Sequence, residues 1–455
     1  MSLVHITIDN TPMEVEDGAL LIDILLKNSI KIPHFCYHEA LGADGNCRMC
    51  MVAIQGQKRP QIACDTFVKE GMEVFTNSPV IQSVQQEILE LELINHPVDC
   101  PICDQAGECK LQDYYMDYGL HHSKVEIADK VSHSKHVDLG SEVMLDQERC
   151  VLCARCTRFT SEITKTHELG IIGRADHARV STMPNKKLNN PYAMNVVDLC
   201  PVGALTSKDF RFAQRTWFLQ TTPSICHGCA TGCNILIDHN KEKYKDDKIY
   251  RFRPRVNKAV NGHFICDVGR LSYKQLQTNR QEETLYNTKA IEQTQALEEF
   301  QELKDSSKSI TIFVDANLYT QEIEAIQAFA KEIDASLYCP LDVYQDESFG
   351  DEWLKSSQRV ANAKAIELLD ITTTISPLEE IDLLINFNHP NPPKARNSIS
   401  FQTHQKQKAT LIFPLAVFSE SSGSIINKDN IVQQCQKAIF RNTPIPTALE
   451  WLEVL

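Results

Sequence analysis

The chain opens on a strict alternation. Val4, Ile6 and Ile8 are apolar with polar residues between them, which predicts a half-buried strand. A turn at Asp9–Pro12 leads to a second strand, Met13–Val15, and Leu20, Ile24 and Leu25 give a short amphipathic helix with Asp17 near its start. Ile81, Val84, Ile88, Leu91 and Ile94 recur at steps of three and four and predict a helix that Pro97 ends. Asn234–Asp238 and Lys248–Arg253 read as strands. A polar stretch over 275–308 marks a boundary. Beyond it come an apolar strand, Ser309–Val314, and a helix over Tyr319–Ile333 with the stripe Ile323, Ile326, Phe329 and Ile333. Ser336–Tyr338 and Ile381–Phe387 read as further strands. That alternation of strand and helix predicts an open parallel sheet.

Length and charge narrow the classes. The 455 residues suggest about three domains, at roughly 150 residues each. The net charge of -14 argues against a nucleic-acid binder, which would carry a basic patch. No apolar run approaches the roughly 18 residues of a membrane span. MSLVHITIDN has neither a signal sequence nor an Arg-rich transit peptide, so a bacterial cytoplasmic protein is the simplest expectation and a processed organellar protein the alternative. No GxGxxG or P-loop follows a strand, and no serine stands in a nucleophile elbow.

Cysteine changes the picture. Fifteen of the 17 cysteines fall within the first 266 residues, in four groups. In a reducing compartment such groups read as metal ligands before disulfides. The first is Cys36, Cys47, Cys50 and Cys64. Plant-type [2Fe–2S] ferredoxins use C-x4-C-x2-C and a remote cysteine; here the first gap is ten residues. Gly42 and Gly45 ease a loop whose amides must turn inward toward sulfur. Zinc also takes four cysteines, but usually as two compact knuckles, and only one pair here is compact. The second group is Cys100, Cys103 and Cys109, with no fourth cysteine nearby. His96, four residues upstream, is the candidate for the fourth ligand; the plainer reading is that it caps a helix end. A neutral histidine in place of a thiolate should raise the potential, as in Rieske centres.

The third group, Cys150, Cys153 and Cys156, starts the bacterial signature C-x2-C-x2-C-x3-C-P, whose last cysteine ligates the other cluster. Thr160 holds that last position. Counting back from Cys200–Pro201 gives Asn190, Ala193 and Val196 where the second repeat's local ligands would stand. The four survivors suffice for one [4Fe–4S] cluster. The fourth group is Cys226, Cys229, Cys233 and Cys266, a pattern that matches the cluster domain of molybdopterin oxidoreductases. Cys339 and Cys435 stand alone and read as ordinary thiols.

These groups, in this order, resemble the large iron–sulfur subunits of respiratory complex I. So do GNCRMC, NHPVDCPICDQAGECKLQD, RCVLCARCTRF, DLCPVGALTSKDFRF, ICHGCATGCN and CDVGR. The likeness is dense over residues 1–275 and weak afterwards. It implies an α+β multidomain chain. Residues 1–77 would form a β-grasp [2Fe–2S] ferredoxin. Residues 78–139 would form a helical [4Fe–4S] segment with one histidine and three cysteine ligands, and 140–218 a degenerate two-cluster ferredoxin with one [4Fe–4S]. Residues 219–275 would form a molybdopterin-oxidoreductase-type [4Fe–4S] domain, and 276–455 a shortened α/β scaffold over the Cys226 group. FSESSGSIINKDNIVQQ keeps Glu420, Gly423, Asn427 and Gln433 of that family's segment, while its Gly–Arg pair is Asn430–Ile431. No molybdopterin is expected. The resemblance implies electron relay from a flavin-bearing or other input subunit to a quinone-side iron–sulfur subunit. The setting implied is peripheral, on the cytoplasmic side of the bacterial inner membrane, with membrane contact only through the complex. The alternative is an electron-transfer subunit of a soluble formate dehydrogenase or hydrogenase.

Overall fold

The computed structural model describes residues 2–140, 142–374 and 381–455. They divide into two compact units, Met1–Trp217 and Phe218–Leu455.

In the first unit, β1 (Leu3–Ile8) and β2 (Thr11–Glu16) form the expected hairpin. Asp9 and Asn10 take the positive φ that a two-residue turn between twisted strands requires. With β3 (Met51–Ile54), β4 (Gln61–Ile62) and β5 (Glu73–Phe75) they build a sheet of order β2-β1-β5-β3-β4. The helix α1 (Leu21–Lys27) packs Leu21 and Leu25 against Ile6, Ile8, Val52 and Val74. Cys50 and Cys64 belong to the same core, so the first cysteine loop is anchored in the sheet itself.

The helix α2 (Pro79–Leu93) begins with Ser78 accepting from the Ile81 amide and with proline in its first turn. Its buried face is Ile81, Gln85 and Leu89, whereas Leu91 is 66% exposed. The buried face is therefore rotated from the apolar stripe read in the sequence: Ile81, Gln85 and Leu89 step by four residues and centre about 40° to one side of Ile81, whereas Leu91 lies about 80° to the other side, roughly 120° from that centre. Gln85 is buried because its amide donates to Met51 O. The chain continues through α3 (Lys110–Tyr118), β6 (Val137–Gly140), β7 (Val143–Leu145), α4 (Arg155–Arg158), the hairpin β8 (Leu169–Ile172) and β9 (Arg179–Thr182), α5 (Asn195–Leu199) and β10 (Leu205–Ser207). The order β10-β7-β6 makes a small second sheet.

In the second unit, β11 (Leu219–Ile225), β12 (Asn234–Asn240) and β13 (Ile249–Pro254) form an antiparallel sheet, followed by α6 (Asp267–Leu271) and α7 (Tyr273–Leu276). The rest is β14 (Leu285–Tyr286), β15 (Lys289–Ala290), α8 (Gln293–Ser306), β16 (Ile310–Val314), α9 (Thr320–Glu332), β17 (Ser336–Tyr338), α10 (Ala363–Leu368), β18 (Leu383–Phe387), β19 (Asn397–Gln402), β20 (Leu411–Pro414), β21 (Gly423–Ile426), β22 (Val432–Cys435) and α11 (Ala448–Leu452). The larger sheet runs β15-β14-β20-β19-β18-β16-β17, parallel from β20 to β17. Phe387, Phe401 and Phe413 stack across it at centroid spacings of 4.6 and 4.8 Å. Among the described residues, no helix is long and apolar enough to cross a membrane.

Candidate metal centres

Each predicted cysteine group is assembled in space. In the first, Cys36, Cys47, Cys50 and Cys64 are all buried. Gly42 and Gly45 both take positive φ, and the amides of Phe35 and Cys36 each donate to Cys47 Sγ at 3.4 Å. The thiols touch one another. Hydrogen bonds from Cys47 and Cys64 drive Cys36 and Cys50 down in pKa, and the same bonds push Cys47 and Cys64 up. Thiols that meet in the pairs Cys36–Cys47, Cys36–Cys64 and Cys50–Cys64, with amides aimed at Cys47, suit the ligands of a two-iron cluster.

His96, Cys100, Cys103 and Cys109 line one small, mostly apolar cavity. Lys130 Nζ donates to Leu93 O and His96 O at 2.8 and 2.7 Å, closing the end of α2 and fixing where His96 begins. Burial pushes the His96 imidazole down to about 4, which favours the neutral form that a metal ligand needs. The Val98 amide donates to His96 Nδ1 at 3.0 Å. The neutral ring then carries its proton on Nε2; to hold a metal it would either use Nδ1 and give up this contact, or use Nε2 after its proton had shifted to Nδ1. Asp99 holds the loop before Cys100 through a two-pronged pair with Arg149, at 2.9 and 2.6 Å.

Cys150, Cys153, Cys156 and Cys200 surround a third cavity walled by Leu145, Val180, Val202 and Leu205. Burial raises all four thiols, Cys153 to about 12. Leu152 and Ala154 adopt left-handed backbone, curling the loop around the cavity. Thr160, Asn190, Ala193 and Val196, where a second cluster would have its ligands, are buried. Hydrogen bonds hold the polar pair instead: Glu168 accepts from the Asn190 amide, and Thr160 Oγ1 accepts from the Leu169 amide.

Cys226, Cys229, Cys233 and Cys266 stand at one end of a cavity of about 640 Å³. The Gly228 amide donates to Cys226 Sγ and the Gly269 amide to Cys266 Sγ, at 3.4 and 3.3 Å. A side chain at Gly269 would stand 3.1 Å from Cys226 Sγ, so the CDVGR glycine permits this approach. The tail braces the loop: Asn427 donates to Thr231 O, and Gln433 to Gly232 O. Glu420 is held by Arg280 at 2.8 Å and by Arg441 at 2.6 Å. A Cβ on Gly423 would lie 2.4 Å from Tyr319 Cγ. The family-like positions of the tail are thus structural. All four cysteines are buried, and the cavity extends from them to Asp315, Asn388 and Gln402 at the C-terminal ends of β16, β18 and β19.

Among the described residues, no group of three or more His, Cys, Asp or Glu side chains is drawn together as a site for one metal ion. The last three groups ring a void, which is the arrangement a multi-iron cluster needs. Cys339 and Cys435 are buried. The sequence reading missed the residues that connect the groups: Asn46, Asp99, Lys110, Arg149, Arg155 and Gly203. Asn46 Nδ2 donates to Leu152 O, joining the first loop to the third. The Lys110 amide donates to Pro201 O at 2.9 Å, joining Cys109 to Cys200. A Cβ at Gly203 would lie 2.3 Å from Cys103 Sγ. Each of these residues except Gly203 stands next to a cysteine in sequence, which is the only signal that could have found them.

Four family models match the chain. They are a 2Fe-2S iron-sulfur cluster binding domain over residues 2–79 and the NADH-ubiquinone oxidoreductase-G iron-sulfur binding region over 85–124. The others are the ferredoxin-like domain of NADH-quinone oxidoreductase subunit 3 over 140–206 and the molybdopterin oxidoreductase Fe4S4 domain over 219–278. The chain is 35% identical over 400 residues to the NADH-ubiquinone oxidoreductase 75 kDa subunit of Reclinomonas americana, covering 84% of this chain and 55% of that one. It is 38% identical over 283 residues to the NADH-quinone oxidoreductase G subunit of Rickettsia bellii, covering 61% and 40%. A chain from an NAD+-reducing [NiFe]-hydrogenase crystal structure aligns with 46% of this chain and 90% of its own length, at 26% identity and a TM-score of 0.42. The chain spans about half or less of the length of these curated relatives. In sequence, and in the order of its modules, the chain is a homologue of the G subunit of NADH-quinone oxidoreductase and of the 75 kDa subunit of NADH-ubiquinone oxidoreductase.

Proposed function

We propose that the chain is an iron–sulfur electron-transfer subunit of the hydrophilic arm of a complex I, relaying electrons from a flavin-bearing donor module towards quinone. The ligands would be Cys36, Cys47, Cys50 and Cys64 for one [2Fe–2S] cluster. Three [4Fe–4S] clusters would be held by His96 with Cys100, Cys103 and Cys109; by Cys150, Cys153, Cys156 and Cys200; and by Cys226, Cys229, Cys233 and Cys266. Such clusters supply one-electron transfer without a substrate pocket. The five-part division of the chain at 77, 139, 218 and 275 belongs to the same reading, with 276–455 as an α/β scaffold.

One observation carries the proposal: three of the groups are tied to one another by hydrogen bonds. The first is tied to the third through Asn46 and Leu152. The third is tied to the second through the hydrogen bond from the Lys110 amide to Pro201 O. The first is also tied to the second, where Lys110 Nζ meets His34 Nε2 at 3.2 Å. The favoured order starts at the first group and passes to the third, with the His96 group on the route or beside it. The partners would be a flavin-bearing or other input subunit and a quinone-side iron–sulfur subunit. The chain would be peripheral, on the cytoplasmic face of the bacterial inner membrane. Following the reduction of each cluster by rapid-freeze paramagnetic resonance in the assembled complex tests the order. Reduction of the His96 cluster ahead of the Cys150 cluster would contradict it.

A further inference from the structure

Arg155 lies between Cys153 and Cys156 and is 3% exposed. Its guanidinium spans two groups. Nη1 donates to Leu199 O at 3.0 Å, next to Cys200, and Nη2 donates to Tyr37 O, next to Cys36. Nε is buried and has no hydrogen-bond partner. Two other buried arginines have carboxylates: Arg149 has Asp99 and Arg280 has Glu420. Among the described residues, no carboxylate ion-pairs with Arg155. Burial disfavours its cation, and the groups whose negative charge offsets that are Cys153, Cys200, Tyr114 and Cys36.

A buried cation is costly unless an anion compensates it. Two backbone carbonyls supply dipoles but no net charge. The compensating charge must come from the thiolates on either side, which belong to two different groups. Adding an electron to either centre adds negative charge beside a fixed positive one in a medium of low dielectric, which favours reduction.

We propose that Arg155 is a positioning residue that acts as the shared counter-ion of the first and third cysteine groups, holding both redox potentials up together. The proposal rests on the reading of both groups as iron–sulfur sites.

The test is redox titration by paramagnetic resonance on the full chain, purified anaerobically with its clusters, as wild type, Arg155→Gln and Arg155→Lys. Arg155→Gln keeps hydrogen-bonding capacity and removes the charge; both potentials should fall, while that of the Cys226 cluster should not move. Arg155→Lys keeps the charge and loses the fork; both potentials should stay near wild type. If Arg155→Gln strips the clusters and Arg155→Lys retains them at wild-type potentials, the need for charge is supported. The proposal is overturned if Arg155→Gln leaves either potential unchanged, if Arg155→Lys shifts as far as Arg155→Gln, or if neither variant retains the two clusters. Absence of the two signals from the wild-type chain would instead overturn the underlying reading, and it would show before any variant is compared.

Discussion

At the residue scale, His96 is the sharpest point. It lines the same cavity as Cys100, Cys103 and Cys109, and burial keeps its ring neutral. Replacement by cysteine should keep that cluster and lower its potential, because an anion replaces a neutral ligand. Replacement by alanine should lower occupancy severalfold. Redox titration with iron analysis checks both, and an unchanged potential and occupancy in His96→Ala would remove His96 from the ligand set. Glu92 gives a pH prediction. Burial, with Cys36 nearby, raises its carboxyl from 4.5 to about 7 in the folded chain. The folded state thus holds this proton more tightly than the unfolded state does. Its contribution to stability is fully present below pH 4.5 and is lost as pH rises through 7, by about 3 kcal/mol. Glu92→Gln should raise the thermal midpoint at about pH 8 and change it much less at about pH 5. An equal gain at both values would mean the carboxyl is not buried as described.

At the element scale, strong periodicity was legible and sparse periodicity was not. β1, β2, α1, β12, β13, β16, α9, β17 and β18 lie where alternation or a helical stripe placed them, because each has one face or both against a core. The helix α8 lies in the stretch read as a polar boundary; it buries only Ala296 and Phe300, too few positions to mark a stripe. Strands β3 to β10 are two to four residues long, shorter than a period-2 pattern needs to declare itself. The cysteine groups were readable because ligand spacing is local. The links between them join residues far apart in sequence, as with Lys110 and Pro201, and no spacing encodes them. The hairpin of β21 and β22 shows what such a link does: Gln433 and Asn427 hold the loop between Cys229 and Cys233. Gln433→Ala leaves the Gly232 carbonyl without that donor, at a local cost of about 1–3 kcal/mol. The Cys226 cluster should then decay several times faster in air while the other three are unaffected. Equal decay of all four would place the brace elsewhere.

At the scale of the whole molecule, the two units divide the work. Three groups lie within Met1–Trp217, and the fourth lies with the parallel sheet in Phe218–Leu455. Deleting residues 290–455 removes Asn427 and Gln433. It should abolish or expose the Cys226 cluster and leave the other three spectra largely intact; losing all four together would contradict that division. The tail should bring no molybdenum, tungsten or pterin, and elemental analysis with pterin fluorescence checks this. The central claim is that four ligand groups hold four clusters and that the eroded repeat holds none. Iron and sulfide analysis of the anaerobically purified chain, with paramagnetic resonance at graded potentials, tests it most directly. The expected result is a brown protein with one [2Fe–2S] and three [4Fe–4S] signals. A colourless zinc protein, or a fifth cluster where Thr160, Asn190, Ala193 and Val196 stand, would contradict the account.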